Sequence, residues 1–172
     1  YKPDARTPVS VSPGADNSDR INYPGETLLR RSGDCDDLVV LCCSILEAAD
    51  IPTAVVVDQK HVIMMFDSGL GGIPAGTSEG PGETGNLFCE ESWVAYKGRL
   101  WIPVEATELA RSAGGFAAAW AAAWHYKDKI ESAEMQVIEI REGWKSYKPL
   151  HPPPAGDVRA RIREAARWGQ GN

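Results

Sequence analysis

The sequence lacks any apolar run close to the ~20 residues that a helix needs to cross a bilayer. Its first residues, "YKPDARTPVS", contain neither a Met nor a signal-like segment. We therefore expect no membrane span in this chain, and we expect the chain to be a piece of a larger protein with flanking domains. The sequence contains 18 Lys and Arg but 24 Asp and Glu, so its formal net charge is −6. A negative charge disfavours nucleic acid as a partner.

Metal-ligand and disulfide patterns are missing as well. No C-x-x-C or H-x-x-x-H pair is present to hold zinc, and "DCDD" lacks the D-x-D-x-D-G order of a calcium loop. The four cysteines are even in number, but Cys42 and Cys43 are adjacent within a helical pattern, and the spacing from Cys35 to Cys89 is irregular. We expect no disulfide framework, no metal site and no cofactor.

The composition is ordinary for a globular domain, with 43% hydrophobic and 24% charged residues. A length of 172 residues matches one domain, and 12 Pro and 17 Gly predict many turns. We divide the chain into an extended N-terminal arm (1–25), a core (26–150), and a C-terminal part (151–172). The last consists of a Pro-rich linker, "HPPPAG", and an amphipathic helix, "DVRARIREAARW".

A helical pattern begins at Asp34. Apolar residues recur at helical spacing over residues 38–49, Asp34 is placed to act as N-cap, and Ile51-Pro52 ends the helix. Cys35 lies in the first turn and on the inward stripe. A thiol at this position lies near exposed backbone N–H groups and the positive end of the helix dipole, which stabilise a thiolate.

The remainder of the core predicts a sheet and further helices. "TAVVVD" and "HVIMMFD" indicate one hairpin, "ESWVAYKGRLWIPVEAT" a second around "KGR", and "AEMQVIEI" a last strand. Residues 68–86 are rich in Gly and Pro and predict a long loop, either a lid or a tolerated insertion. "GGFAAAWAAAWHYKDKI" predicts one helix whose stripe of Phe116, Trp120 and Trp124 packs in the core. The fold class is therefore α+β, with the Cys35 helix packed on an antiparallel sheet.

Three residues could form a nucleophilic site. A cysteine nucleophile needs a base to take its proton and a polar group to orient that base. Cys35 supplies a thiol, His61 an imidazole at the first residue of a strand, and Glu105 a carboxylate at the end of a later strand. The alternatives are an inert Cys35 and a Glu105 that merely ends an exposed strand. His125 and His151 lie in contexts that suggest no such role.

The segments "YPGETLLRRSGDCDDLVVLCCSILEAADIPTAVVV", "HVIMMFD" and "GRLWIPVEAT", in this order, resemble the core of bacterial transglutaminase-like proteins, a branch of the papain-like cysteine peptidase fold. The resemblance covers residues 23–107, and its most specific part is the G-D-C-D-D block that heads an apolar helix. It implies a papain-like core with Cys35 as nucleophile, His61 as base and Glu105 as the acid that orients the histidine. Two positions depart from the family: Glu105 replaces the acid of the common D-P-T ending, and Ile63 replaces an aromatic residue.

The function implied by the resemblance is acyl transfer on a peptide or protein amide through a thioester, completed by water or by an amine. The backbone N–H of Cys35 would serve as one oxyanion donor. The resemblance suggests that the protein is bacterial and that it lies in the periplasm or is anchored to a membrane. Two other functions stay open: a catalytically inactive transglutaminase-like module that binds a peptide or protein, and a metal-regulated interaction domain that uses "DCDD".

Three aspartates flank the cysteine of the "DCDD" block. Their negative field would oppose a thiolate, although acids at a helix N-terminus favour the helix itself. We therefore expect Asp34, Asp36 and Asp37 to point outward, toward the helix cap, Arg30 or Arg31.

Overall fold

The computed structural model describes residues 21–58, 60–71, 93–111, 114–151 and 160. The helices in these ranges are α1 (Pro24–Arg30), α2 (Cys35–Ala48), α3 (Ala106–Arg111), α4 (Gly115–Ala123), α5 (Lys127–Glu131) and α6 (Ile140–Ser146), with a 3₁₀ turn at Trp124–Tyr126. The strands are β1 (Thr53–Val57), β2 (Val62–Gly71), β3 (Val94–Tyr96), β4 (Arg99–Val104) and β5 (Gln136–Glu139). None of the described helices combines the length and the apolar character that crossing a membrane requires.

The five strands form one sheet in the order β3-β4-β2-β1-β5, and every neighbouring pair is antiparallel. Met64 lies opposite Val104 where β2 pairs with β4. The sheet is curled and its two edges approach each other: Lys97 in the β3–β4 turn donates a hydrogen bond of 2.5 Å to Glu139 in the opposite edge strand. The prediction of an α+β fold with a helix packed on an antiparallel sheet is confirmed, since α2 packs against β1 and β2.

Strand β2 is buried on both faces. Successive side chains of a strand point to opposite sides, so Met64 packs in one cluster with Val39 and Cys43 of α2, while Ile63 and Met65 pack in a second cluster. Each of the three β2 side chains is at most 1% exposed. Burial of an apolar side chain of this size contributes about 1.5–3 kcal/mol. The hairpin that follows α2 is therefore anchored in the centre of the protein.

Helix α1 has no counterpart in the sequence-based prediction, which extended an irregular arm through residue 25. Pro24 at the first helical position has the backbone angle that a helix requires, and the Glu26 carboxylate accepts a hydrogen bond of 2.9 Å from the N–H of Tyr23. The helix buries Glu26 and Thr27, whereas its two leucines at positions 28 and 29 are exposed. A helix that buries polar residues escapes an analysis of apolar periodicity.

Strand β2 also runs further than predicted, so residues 68–71 belong to a strand and not to the long loop. The Ser68 hydroxyl donates to the carbonyl of Leu100 at 2.7 Å, and Gly71 pairs with Arg99 after a register shift. Other predictions lie outside the described residues: the arm over 1–20, the rest of the loop, Cys89, and all of the C-terminal linker and helix except residues 151 and 160.

The single helix predicted over residues 114–130 is wrong, because the chain forms α4, the 3₁₀ turn and α5 in succession. Helix α4 packs on β4, whereas α5 packs on the neighbouring strand β3. Trp120 is buried as expected, whereas Phe116 at the start of the same stripe is 41% exposed. The predicted last strand is present as β5, and α6 after it was not predicted.

Candidate active site

Helix α2 begins at Cys35, with Asp34 as its N-cap as predicted. The Asp34 carboxylate accepts a hydrogen bond of 3.4 Å from the N–H of Asp37, and its carbonyl accepts one of 3.1 Å from Leu38. The side chain of Cys35 is half-buried, and its thiol is not part of a disulfide. At this position the unpaired N–H groups and the dipole of the helix favour a negative charge.

Gly33 is tightly enclosed immediately before this helix. A Cβ at position 33 would lie 2.7 Å from the Cβ of Asp37 and 3.2 Å from Cγ2 of Thr27. We expect Gly33→Ala to lower the free energy of unfolding by about 1–3 kcal/mol, the usual cost of overpacking, as measured by urea denaturation. Gly25→Ala is the matched control, because a Cβ there meets nothing within 4 Å. Equal stability of the two variants would contradict this reading of the contact.

His61 closes the β1–β2 hairpin loop and lies one residue before β2, not at its first residue as predicted. Residues Val57 and Val62 pair across the hairpin and fix the ends of this loop. The imidazole is at the end of the sheet where β1 and β4 finish and β2 starts. Its Nε2 lies 2.6 Å from Oε2 of Glu105.

Glu105 is the residue between β4 and α3, and it is 7% exposed. Its second carboxylate oxygen, Oε1, accepts hydrogen bonds from the N–H and the hydroxyl of Thr107 at 3.1 and 2.6 Å. Burial alone would raise the pKa of Glu105, but the hydrogen bonds from His61 and Thr107 and the charge of His61 outweigh it, so this pKa lies below its ordinary 4.5. The carboxylate is therefore ionised at neutral pH and presents Oε2 to His61.

The imidazole of His61 interacts with the thiol of Cys35 and with the carboxylate of Glu105. Hydrogen bonds to Cys35 and to Glu105, together with their Coulombic attraction, raise the pKa of His61 from 6.5 to about 10, although burial opposes this shift. Since Glu105 takes Nε2, the nitrogen that remains for Cys35 is Nδ1. The structure thus brings together the three residues that the sequence predicted. An imidazolium beside a sulfur is the arrangement that activates a cysteine as a nucleophile.

The expectation that the neighbouring aspartates point outward is wrong for Asp37. This residue is 4% exposed, and its carboxylate accepts hydrogen bonds from the backbone N–H and the side-chain amide of Asn22, at 2.7 and 2.5 Å. In the described ranges no ion pair joins any of the three aspartates to Arg30 or Arg31. Two donors from one asparagine satisfy the buried carboxylate, so it needs no cation.

The surroundings of Asp34 favour the protonated form of its carboxyl group. Burial, a hydrogen bond with Asp36, and the charges of Asp36 and Asp37 raise the pKa of Asp34 to about 8. One carboxylate oxygen from each of these aspartates lies within 4.8 Å of the others. A cation would have to displace the proton of Asp34 and the donors of Asn22, because metal ligands must be deprotonated and have free lone pairs. The raised pKa of Asp34 reduces the negative charge beside Cys35.

The other described cysteines are poor nucleophiles. Cys42 and Cys43 are free thiols within α2. Burial raises the pKa of Cys42, and it raises the pKa of Cys43 to about 12. Both therefore stay protonated at neutral pH, where a thiol reacts slowly.

Three further residues of the site were missed by the sequence analysis. Asp58 accepts a hydrogen bond of 2.8 Å from the N–H of His61, Thr107 holds Glu105, and the ring of Tyr126 lies 5.7 Å from the imidazole at an interplanar angle of 32°. Asp58 and Thr107 lie close in sequence to the residues they contact, and Asp is a common turn residue, so a local signal existed. Tyr126 is distant in sequence, and nothing in its surroundings pointed to His61.

Comparison of the chain with protein-family models, curated proteins and solved structures finds no match. The resemblance to transglutaminase-like proteins therefore stays a prediction from the residues. The contacts of His61 with Glu105 and Cys35 are the features of this chain that point to a function.

Proposed function

We propose that this protein is a cysteine-dependent hydrolase or acyltransferase of the transglutaminase-like group, with a papain-like core, that acts on a peptide or protein amide. The observation that carries the proposal is the contact of His61 with Glu105, at 2.6 Å between Nε2 and Oε2, together with the interaction of Cys35 with the same imidazole, which raises the pKa of His61. Further support comes from the architecture, because a helix that begins with the cysteine packs on an antiparallel sheet that carries the other two residues. The chemistry requires no cofactor.

In the first step, the sulfur of Cys35 attacks the carbonyl carbon of the amide. A C–S bond forms, and the carbonyl π electrons move to the oxygen, which accepts a hydrogen bond from the backbone N–H of Cys35. The oxyanion electrons then re-form the carbonyl as the C–N bond breaks, and the His61 imidazolium gives its Nδ1 proton to the leaving nitrogen. A thioester and a free amine result.

In the second step, neutral His61 removes a proton from water or from an acceptor amine, which attacks the thioester carbon. The C–S bond breaks, the electron pair returns to sulfur, and the thiolate–imidazolium pair is restored. Glu105 stays ionised throughout; it fixes the tautomer of His61 and stabilises the imidazolium. Hydrolysis and transfer therefore differ only in which nucleophile reaches the thioester.

Alkylation with iodoacetamide tests the proposed nucleophile. Limited labelling of the folded protein at neutral pH, followed by peptide mapping, should modify Cys35 ahead of Cys42, Cys43 and Cys89. His61→Ala should slow the labelling of Cys35 by about tenfold or more, because the sulfur loses its cationic partner. Labelling spread over all four cysteines, or a rate that does not depend on His61, would overturn the proposal. Selective labelling without any turnover of amides would instead favour the inactive binding module.

A further inference from the structure

The hairpin loop that carries His61 contains a second carboxylate, that of Asp58. Its Oδ1 accepts hydrogen bonds from the N–H of Lys60 at 2.7 Å and from the N–H of His61 at 2.8 Å. In the opposite direction, the N–H of Asp58 donates to the carbonyl of His61 at 3.0 Å. Both main-chain polar groups of His61 are therefore bound to Asp58.

We propose that Asp58 is a positioning residue, which holds the main chain of His61 so that the imidazole faces Cys35 and Glu105 together. This inference rests on the function proposed above. Asp58 follows directly after β1, whose last residue, Val57, pairs with Val62 at the start of β2. The carboxylate thus lies one residue beyond a paired strand end, and its hydrogen bonds tie a loop residue to that end of the sheet.

The position of the His61 ring, and not only the charge around it, decides whether the ring can act on Cys35. The ring of His61 has to meet groups from three elements: Cys35 on α2, Glu105 after β4, and Tyr126 on the 3₁₀ turn. A displacement of roughly 1 Å at a reacting group can lower a rate by about 100-fold. Without the Asp58 acceptor, the N–H groups of Lys60 and His61 would turn to water and the loop could relax.

The charge of Asp58 offers a competing explanation. Hydrogen bonds from the N–H groups of Lys60 and His61, with attraction from Lys129 and the imidazole, hold the pKa of Asp58 below its ordinary value despite some desolvation. Asp58 is therefore ionised at neutral pH, and it could stabilise the imidazolium through its field without positioning it. Substitutions that separate the acceptor from the charge distinguish the two explanations.

Three variants of the full chain make this test, each measured by the rate of Cys35 alkylation with iodoacetamide. Asp58→Asn keeps the acceptor oxygen and removes the charge, Asp58→Glu keeps the charge and displaces the oxygen by a methylene, and Asp58→Ala removes both. Positioning predicts a rate close to that of the unchanged protein for Asn, and rates lower by about tenfold for Glu and Ala. The reverse order, with Glu unaffected and Asn slow, or four equal rates, would overturn the inference. If the Ala variant does not fold, the comparison of Asn with Glu decides.

A second comparison asks whether the effect passes through His61. In a His61→Ala background, adding Asp58→Glu should produce no further slowing, because the residue that Asp58 positions is gone. A full additional loss there would contradict positioning. Failure of the proposed function is recognised separately: His61→Ala alone would then leave the Cys35 rate unchanged. If His61→Ala slows alkylation and Asp58→Glu does not, only the role of Asp58 is lost.

Discussion

Replacing Cys35 with alanine should abolish formation of a hydroxamate from a glutamine-containing peptide and hydroxylamine, with a loss on the order of 10³-fold or more. In this reaction the acyl group of the glutamine side chain would pass to the sulfur as ammonia leaves. Hydroxylamine would then attack the thioester carbon, which forms the hydroxamate and frees the sulfur. The other described cysteines are protonated by burial, so they offer no substitute for the lost sulfur. The initial rate of hydroxamate formation, followed by colour with ferric ion, is the measurement.

Cys42→Ala is the matched control, since it removes a sulfur from the same helix at a half-buried position outside the site. Its rate should equal that of the unchanged protein. Equal losses in the two variants would indicate that damage to α2, and not loss of the nucleophile, explains the result. A Cys35→Ala variant that retains its rate would refute acyl transfer through this residue.

Removal of the His61 side chain should destabilise the protein in a manner that depends on pH. The pKa of His61 in the folded protein, about 10, lies above its ordinary 6.5, so the folded state holds the proton more tightly than the unfolded chain does. The resulting stabilisation is complete below about pH 6.5, and it is lost as the pH rises through about 10. The pKa of Glu105 is lowered, so its contribution is present above 4.5 and is lost as the pH falls through the folded pKa.

The difference in unfolding free energy between the unchanged protein and His61→Ala should therefore be largest near pH 5.5 to 6.5 and should shrink toward about pH 10. Hydrogen bonds to charged groups are worth about 1.5–3 kcal/mol each, which sets the size of the effect at its maximum. Urea denaturation at several pH values measures it. The raised pKa of Asp34 also removes stability between about pH 4 and 8, but this contribution cancels in the difference between the variants.

His125→Ala is the control for the loss of a histidine, because His125 is exposed on the 3₁₀ turn. The trend with pH of the His61→Ala difference is compared with that of the His125→Ala difference. A His61→Ala difference that is constant from acid to alkaline pH would mean that the imidazole stabilises the fold by packing and not as a charged group.

The parts of the fold that could be predicted are those in which local pattern and tertiary packing agree. The apolar period of α2 and the alternation of the two hairpins correspond to surfaces that are buried. The Asp34 cap lies where the sequence predicted it. Helix α1 was missed because it buries Glu26 and exposes leucines, the reverse of the usual pattern. The extension of β2 through Gly71 was missed because glycine composition suggested a loop, whereas pairing with β4 decides the conformation there.

For the candidate site, the choice of residues could be made from the sequence but their supports could not. Cys35, His61 and Glu105 stood out by residue type and by position at the ends of elements. These three residues come together because of the order of the strands in the sheet. Strand β4 lies beside β2, although β3 lies between them in the chain. The inward turn of Asp37 depends on Asn22, which lies before α1, and no local pattern could have supplied that donor.

The pairing of β2 with β4 has a consequence for how this protein could change over evolutionary time. Because Met64 faces Val104 across a hydrogen-bonded ladder, the separation of the histidine from its acidic partner does not depend on how many residues join the two strands. Insertions or deletions in the chain between Gly71 and β3 would leave the contact between His61 and Glu105 in place. Substitutions in that segment could therefore change what the protein binds while the contact between His61 and Glu105 stays the same.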